Sequence, residues 1–191
     1  MAGGQSVGKI ISVSGVMTVT RPGQQEPVRL SNGDVILVGD AVQSAAASGG
    51  QVELTDDSFM NLGAGAAVRI NQFSFNESTN RRTSVVKVIG GQVRFVVYVV
   101  RSPESFFRVE TETASIFVDD LADIVVESAQ DRTNVSVLER TIRVRNALPY
   151  IVGETRLGIN QKATVFAKKP PSVPGVVAPE ERRRYLRELS K

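Results

Sequence analysis

VVKVIGGQVRF, residues Val85 to Phe95, sets two short runs rich in β-branched residues on either side of a glycine pair. Alternation with a period of two marks a strand face, and a glycine pair marks a bend. The same arrangement returns as NVSVLERTIRV (Asn134 to Val144) and, more loosely, as LGINQKATV (Leu157 to Val165). It is also present near the start, where Ile11 and Val13 precede Ser14-Gly15 and Val16 and Val19 follow. Each unit reads as a hairpin, and together they form a weak internal periodicity of irregularly stacked hairpins.

Composition points the same way. The 191 residues include 30 Val, 10 Ile and 11 Thr against 10 Leu. Such side chains are stiff at χ1 and suit a pleated, half-buried surface better than a helix. The 16 glycines and 8 prolines supply turns. The predicted fold is all-β, built of short stacked antiparallel strands in a sandwich- or solenoid-like body, with one short C-terminal helix and none before residue 168.

Between these units, LSNGDVILVGDAVQS repeats a Gly-Asp pair, Gly33-Asp34 and Gly39-Asp40, at a spacing of six. Glycine takes positive φ and Asp caps its own turn, so each pair closes a bend between very short strands. Asp56-Asp57-Ser58 is a further turn, and NESTNRR (Asn76 to Arg82) reads as a polar surface loop. From Arg108 to Thr113 the charged residues Arg108, Glu110 and Glu112 take one face and Val109, Thr111 and Thr113 the other, as in a half-exposed strand.

The chain divides into a β domain over residues 1–167, a Pro-rich linker over 168–179 and a short basic helical tail over 180–191. Pro179 suits a first helical position, Glu180 and Glu181 the first turn, and the arginines the later turns. About 11 residues with a narrow stripe of Tyr185, Leu186 and Leu189 need a docking surface to persist as a helix.

The chain has no Cys, His or Trp. That removes the cysteine nucleophile, the imidazole base, the Ser-His-Asp triad, the Cys/His zinc site and the disulfide. Carboxylate pairs remain, Asp56/Asp57 and Asp119/Asp120. Adjacent strand residues point to opposite faces, so neither pair makes a two-carboxylate site, and each reads as a turn with solvated Asp. No Ca²⁺-loop spacing or Gly-rich phosphate loop is present. The expectation is a protein that is not an enzyme, with no cofactor and no metal.

Net charge is +3. Residues 168–191 carry 7 basic and 3 acidic side chains, the first 167 carry 16 and 17, so the β body is at −1 and the tail at +4. A nearly neutral body without a basic face interleaved with aromatics does not read as a nucleic-acid binder. Arg81, Arg82, Arg143 and Arg145 read as solubilising charges on exposed positions. The tail can touch a phosphate-rich surface or dock on the acidic Asp119, Asp120 and Asp123. No apolar run reaches the ~20 residues of a membrane-spanning helix. MAGGQSVGKI has no basic n-region and no apolar h-region, so it is not a signal peptide; the protein is cytoplasmic, or a leader precedes Met1.

Val93 to Val100 (VRFVVYVV) is apolar on both faces from Val96 onward. A central strand covered on both sides fits this, and so does an interface strand that pairs with a partner. The candidate protein-interface residues are Val96, Val97, Tyr98, Val99 and Val100, with Arg183, Tyr185, Leu186 and Leu189 of the tail. Phe73, Phe75, Phe106 and Phe107 pose the same question.

The middle of the chain resembles the FecR domain of bacterial envelope proteins. The resemblance rests on VGKIISVSGVMTV, then LSNGDVILVGDAVQS with its paired Gly-Asp signature, QVELTDDSFMNLGAGAAVRI, VIGGQVRF, FRVETETASIFV, NVSVLERTIRVRN and LGINQKATVF, from about Val7 to Phe166. Three departures stand out: Asp119-Asp120-Leu121-Ala122-Asp123 where the family has Arg-Gly-Thr, and Arg140 and Asp57 where it has turn glycines. The best-known members sit in the periplasm behind a membrane helix and a cytoplasmic anti-sigma segment, and relay the state of a transporter to a sigma factor. Neither of those parts is seen in this sequence. The resemblance implies a sensing or regulatory protein-interaction module in the periplasm. The alternative is a structural subunit that scaffolds an envelope complex or self-assembles with copies of itself through β-edges and the tail.

Overall fold

Valine-rich alternation becomes strand almost throughout the computed structural model, which describes residues 4–98, 102 and 104–190. The strands are β1 Ser6–Ser14, β2 Met17–Thr20, β3 Val28–Arg29, β4 Val35–Leu37, β5 Ala41–Ser44, β6 Gly49–Leu54, β7 Phe59–Leu62, β8 Ala67–Asn76 and β9 Arg81–Val97. They continue as β10 Phe106–Glu110, β11 Ala114–Val118, β12 Ala122–Ser128, β13 Arg132–Glu139, β14 Ile142–Asn146, β15 Glu154–Leu157, β16 Gln161–Phe166 and β17 Gly175–Val176. One helix, α1 Pro179–Glu188, follows.

Two layers form. The first has the strand order β4-β1-β6-β7-β9-β12-β13-β16-β17. The second has the order β3-β2-β5-β8-β9-β10-β11-β14-β15. Every pairing is antiparallel except β9 with β10. The chain advances from one end of the sandwich to the other while crossing repeatedly between layers, and inward residues of both layers share one core. Within it Phe95 and Phe107 meet edge to face at 5.9 Å. Phe73 is buried with them, Phe75 is half-buried, and Phe106 is exposed.

β9 belongs to both layers. Its first part, from Arg81 to Gly90, pairs with β8, and Gly91 to Val97 pairs with β12. The crossing is at Gly90-Gly91, where Gly91 has φ +76°. A Cβ there would lie 2.6 Å from the Ala66 Cα, so both conformation and space demand glycine. The buried set shifts phase at the bend, from Arg82, Ser84, Val86 and Val88 to Val93, Phe95 and Val97.

The units read as hairpins are layer-crossing corners. β1 and β2 lie in different layers and do not pair; the same holds for β13 with β14 and β15 with β16. Each corner holds one left-handed residue: Gly15 (φ 83°), Arg140 (φ 69°) and Asn160 (φ 58°), with Gly91 serving β9. Period-two alternation specifies which face a residue takes, not which strand lies beside it. The all-β, sandwich-like class stands.

The Gly-Asp pairs behave as expected. Gly33 and Gly39 have φ near 90°, and the Asp34 and Asp40 carboxylates accept the Ser31 and Leu37 N–H groups at 2.7 and 2.9 Å. The polar segment 76–82 is tighter than a surface loop: Asn76 pairs with Arg81, so only Glu77 to Asn80 form the β8–β9 turn.

Candidate interaction surface

The outer face of the first layer is where the tail lands. On β12, Ile124 and Val126 point into the core while Val125 points outward; on β13, Leu138 does the same. Tyr185 of α1 and Leu189 at its C-cap, with Val177 of the strap, close over these two residues as a second apolar cluster, and Leu186 packs at its margin. α1 begins with Pro179, carries Glu180 and Glu181 in its first turn and Arg187 in its last, and has no side-chain cap at Ala178. Dipole-matched charges favour it, but a ten-residue helix in water is marginal, so docking is what holds it.

Polar contacts surround the seat. The Tyr185 hydroxyl lies 2.9 Å from Glu181 Oε1, 3.3 Å from Glu127 Oε2 and 3.5 Å from the Ser136 hydroxyl. Burial first, then the nearby Glu127 and Glu181 carboxylates, push the phenol well above its ordinary range. Burial would raise Glu181, but hydrogen bonds from Lys162 Nζ at 2.7 Å and from Tyr185 outweigh it and hold the carboxyl below its ordinary value. Arg182 donates to the Leu138 carbonyl at 2.7 Å and to Asn160 at 3.1 Å. At the far end, Arg94 forks onto Asp123 at 2.9 and 2.8 Å and extends Nη1 to the Leu189 carbonyl and Ser190 Oγ.

The seat is therefore apolar, not the acidic cluster. Of the three acids, Asp123 reaches the tail only through Arg94. Asp119 grips Arg143 with two bonds of 2.7 Å, which lowers its own pKa, and Asp120 accepts the Leu121 N–H. Arg143 and Arg145 stack over Phe117 at 5.2 and 5.5 Å and both reach Glu154, so they form a paired cluster rather than free solubilising charge.

The apolar run of β9 lies in mid-layer. Val97 points into the core; Val96 points outward between Phe59 of β7 and Asp123 of β12. Tyr98 is exposed and meets Phe59 edge to face at 6.3 Å. Val99 and Val100 lie outside the described residues. In the tail, Tyr185 and Leu189 are buried within the chain, Leu186 is half-buried and Arg183 is exposed. The structure thus brings Tyr185, Leu186 and Leu189 together, and sets Val96 and Tyr98 on the same outer face with Arg94 between the two groups. Next to the end of α1 opens a groove of about 630 Å³, with Gly63, Gln92, Glu127, Arg132, Glu188 and Leu189 in its walls.

A buried ion pair replaces two expectations. Arg82 is not a surface charge and Asp56 is not solvated: the guanidinium meets Asp56 Oδ2 at 2.5 Å, the Tyr98 carbonyl at 3.1 Å and the Phe107 ring at 5.2 Å. Ser58 Oγ joins Asp56 at 3.1 Å and accepts the Tyr98 N–H at 3.2 Å. The pair therefore positions Tyr98. The signal was in the parity: Val52, Leu54, Asp56, Ser58 and Met60 are all inward, as are Arg82, Ser84 and Val86. Asp57, its neighbour, is exposed with φ 64°, so the two carboxylates do not act together. Among the described residues no three acidic side chains gather as a metal site.

Two crystal structures of a candidate anti-sigma factor from Parabacteroides distasonis share the fold, each with a TM-score of 0.59 at 20% and 21% identity. The match covers 76% of this chain and 63% and 64% of those chains, so this chain spans less than two thirds of their length. No curated protein matches it. The profile of the FecR protein family matches residues 40–143, from the Asp40 turn to Arg143 on β14. Those residues make up more than half of the sequence, and the chain belongs to the FecR protein family.

Proposed function

We propose that this chain is a non-catalytic sensing or regulatory module of the bacterial envelope that works by binding another protein. The FecR match over residues 40–143 carries this reading. The fold shared with a candidate anti-sigma factor supports it. Its residues support the non-catalytic part: no Cys or His is available, and the carboxylate pairs are divided between ion pairs and turns. In this reading residues 1–167 are the working β domain, and the strap 168–179 tethers the basic tail 180–191 to it.

The partner surface is the outer face of the first layer, where Val96, Tyr98, Arg183 and Leu186 keep accessible area beside the α1 groove. Val97, Tyr185 and Leu189 support that surface from below. Strand-edge assembly has little purchase, because the end strands β3, β4, β15 and β17 are two to four residues long. The test is affinity capture from an envelope fraction with the full chain and with a Tyr98→Ala/Arg183→Glu variant. A partner should come down with the parent and be lost with the variant, whose circular dichroism should be unchanged. Capture of no envelope protein would sink the proposal, and equal capture by both would move the surface elsewhere.

A further inference from the structure

Beyond that reading, we propose that the C-terminal end of the sandwich is a contact surface for an anionic lipid bilayer. Among the described residues, six of the twelve large apolar side chains that stand exposed fall between Tyr150 and Val176. Four of the six share one rim. Asn146 Nδ2 donates to the Phe166 and Lys169 carbonyls at 3.0 and 2.8 Å, and Gly153 packs against Pro170. Thr155 Oγ1 donates to the Ser172 carbonyl and the Ser172 N–H to the Thr164 carbonyl. These bonds hold the loop of Tyr150 (68% exposed) and Val152 (86%) against the segment carrying Phe166 and Val173 (84%).

Charge on this rim has one sign to spare. Thr155 to Pro179 contains no acidic residue and four basic ones, Arg156, Lys162, Lys168 and Lys169. Lys162 is taken by Glu181, while Lys168 and Lys169 stand exposed, Lys169 over the Phe166 ring at 6.0 Å. The acids nearby are already matched: Glu154 by Arg145 and Arg143, and Asp131 by Arg132 at 3.6 Å. Apolar side chains that project singly from loops and a strand end, flanked by lysines, suit a deformable interface in which they enter the acyl boundary and the ammonium groups meet phosphates. A protein interface favours the opposite, an apolar centre depleted of lysine.

The experiment is co-sedimentation of the full chain with vesicles of pure phosphatidylcholine and of equimolar phosphatidylcholine and phosphatidylglycerol. The parent should pellet with the anionic vesicles only, and less so as salt rises. Val152→Asp/Val173→Asp, both on exposed loops, should abolish pelleting with an unchanged circular dichroism spectrum. Lys168→Gln/Lys169→Gln should lower partitioning about fivefold per lysine. A parent that stays in solution with both vesicle types overturns the proposal, as does an aspartate variant that pellets like the parent. A dimer in gel filtration that depends on Val152 and Val173, without vesicle binding, would reassign the rim to a protein contact.

Discussion

Arg82 shows how much one buried charge governs locally. Its guanidinium is enclosed by Asp56, Ser58, the Tyr98 carbonyl and the Phe107 ring, and its Nε has no hydrogen-bond acceptor. Removing one partner leaves the other charged and desolvated, so Arg82→Met is expected to cost about 3–5 kcal/mol in urea unfolding. Asp56→Asn/Arg82→Met together should cost less than Arg82→Met alone, because no lone charge is left inside. Arg140 is the converse case, a residue the backbone would exchange for glycine. It holds φ 69° at the β13–β14 corner, and a left-handed conformation costs a non-glycine residue about 1–2 kcal/mol. Arg140→Gly should therefore stabilise the fold by about 1 kcal/mol after the added chain entropy of glycine, read as a raised midpoint in urea unfolding. Local pattern made the need for a turn at Arg140 legible through its family glycine. The burial of Arg82 was legible only from parity, which a charged side chain masks.

Among the elements, α1 has the most conditional stability. Its fixed points are Tyr185 and Leu189 on Val125 and Leu138, and its ionic tie is Lys162 to Glu181. Because the folded Glu181 carboxyl sits below its ordinary 4.5, its contribution is complete above about pH 4.5 and is lost as pH falls through the lower folded value. Hydrogen exchange over Pro179–Glu188 should accelerate on acidification relative to the sandwich strands. Lys162→Met should weaken α1 at neutral pH and flatten that acid response. The helix was legible in the sequence from Pro179, the early glutamates and the later arginines. Its seat was not, because Val125 and Leu138 belong to strands whose outward faces look no different from solvent-facing ones until a covering element is known.

At the scale of the whole molecule, two layers of nine strands share β9, and the outer face of one is capped by the tail. A chain ending at residue 178 should keep its β-type circular dichroism spectrum but uncover Val125 and Leu138. It should bind more of a hydrophobic dye than the full chain does, with a lowered thermal midpoint. If truncation leaves dye binding and midpoint unchanged, α1 contributes nothing to closing that face. The architecture itself was legible from β-branched alternation and Gly-Asp turns; strand neighbours were not. A corner and a hairpin share the same local grammar, and only long-range pairing, such as Gly91 with Ser128, separates them.

β9 has one further consequence. Most two-layer proteins join their sheets by loops, so the layers can slide or part while each remains intact. Here a single unbroken strand is stitched into both, with Gly91 as the bend. A pull applied to one layer travels as tension along that backbone into the other, and shear between layers must first strip β9 from a neighbour. The molecule is thus a coupled mechanical unit, in which a load taken up at one sheet is felt at its opposite face.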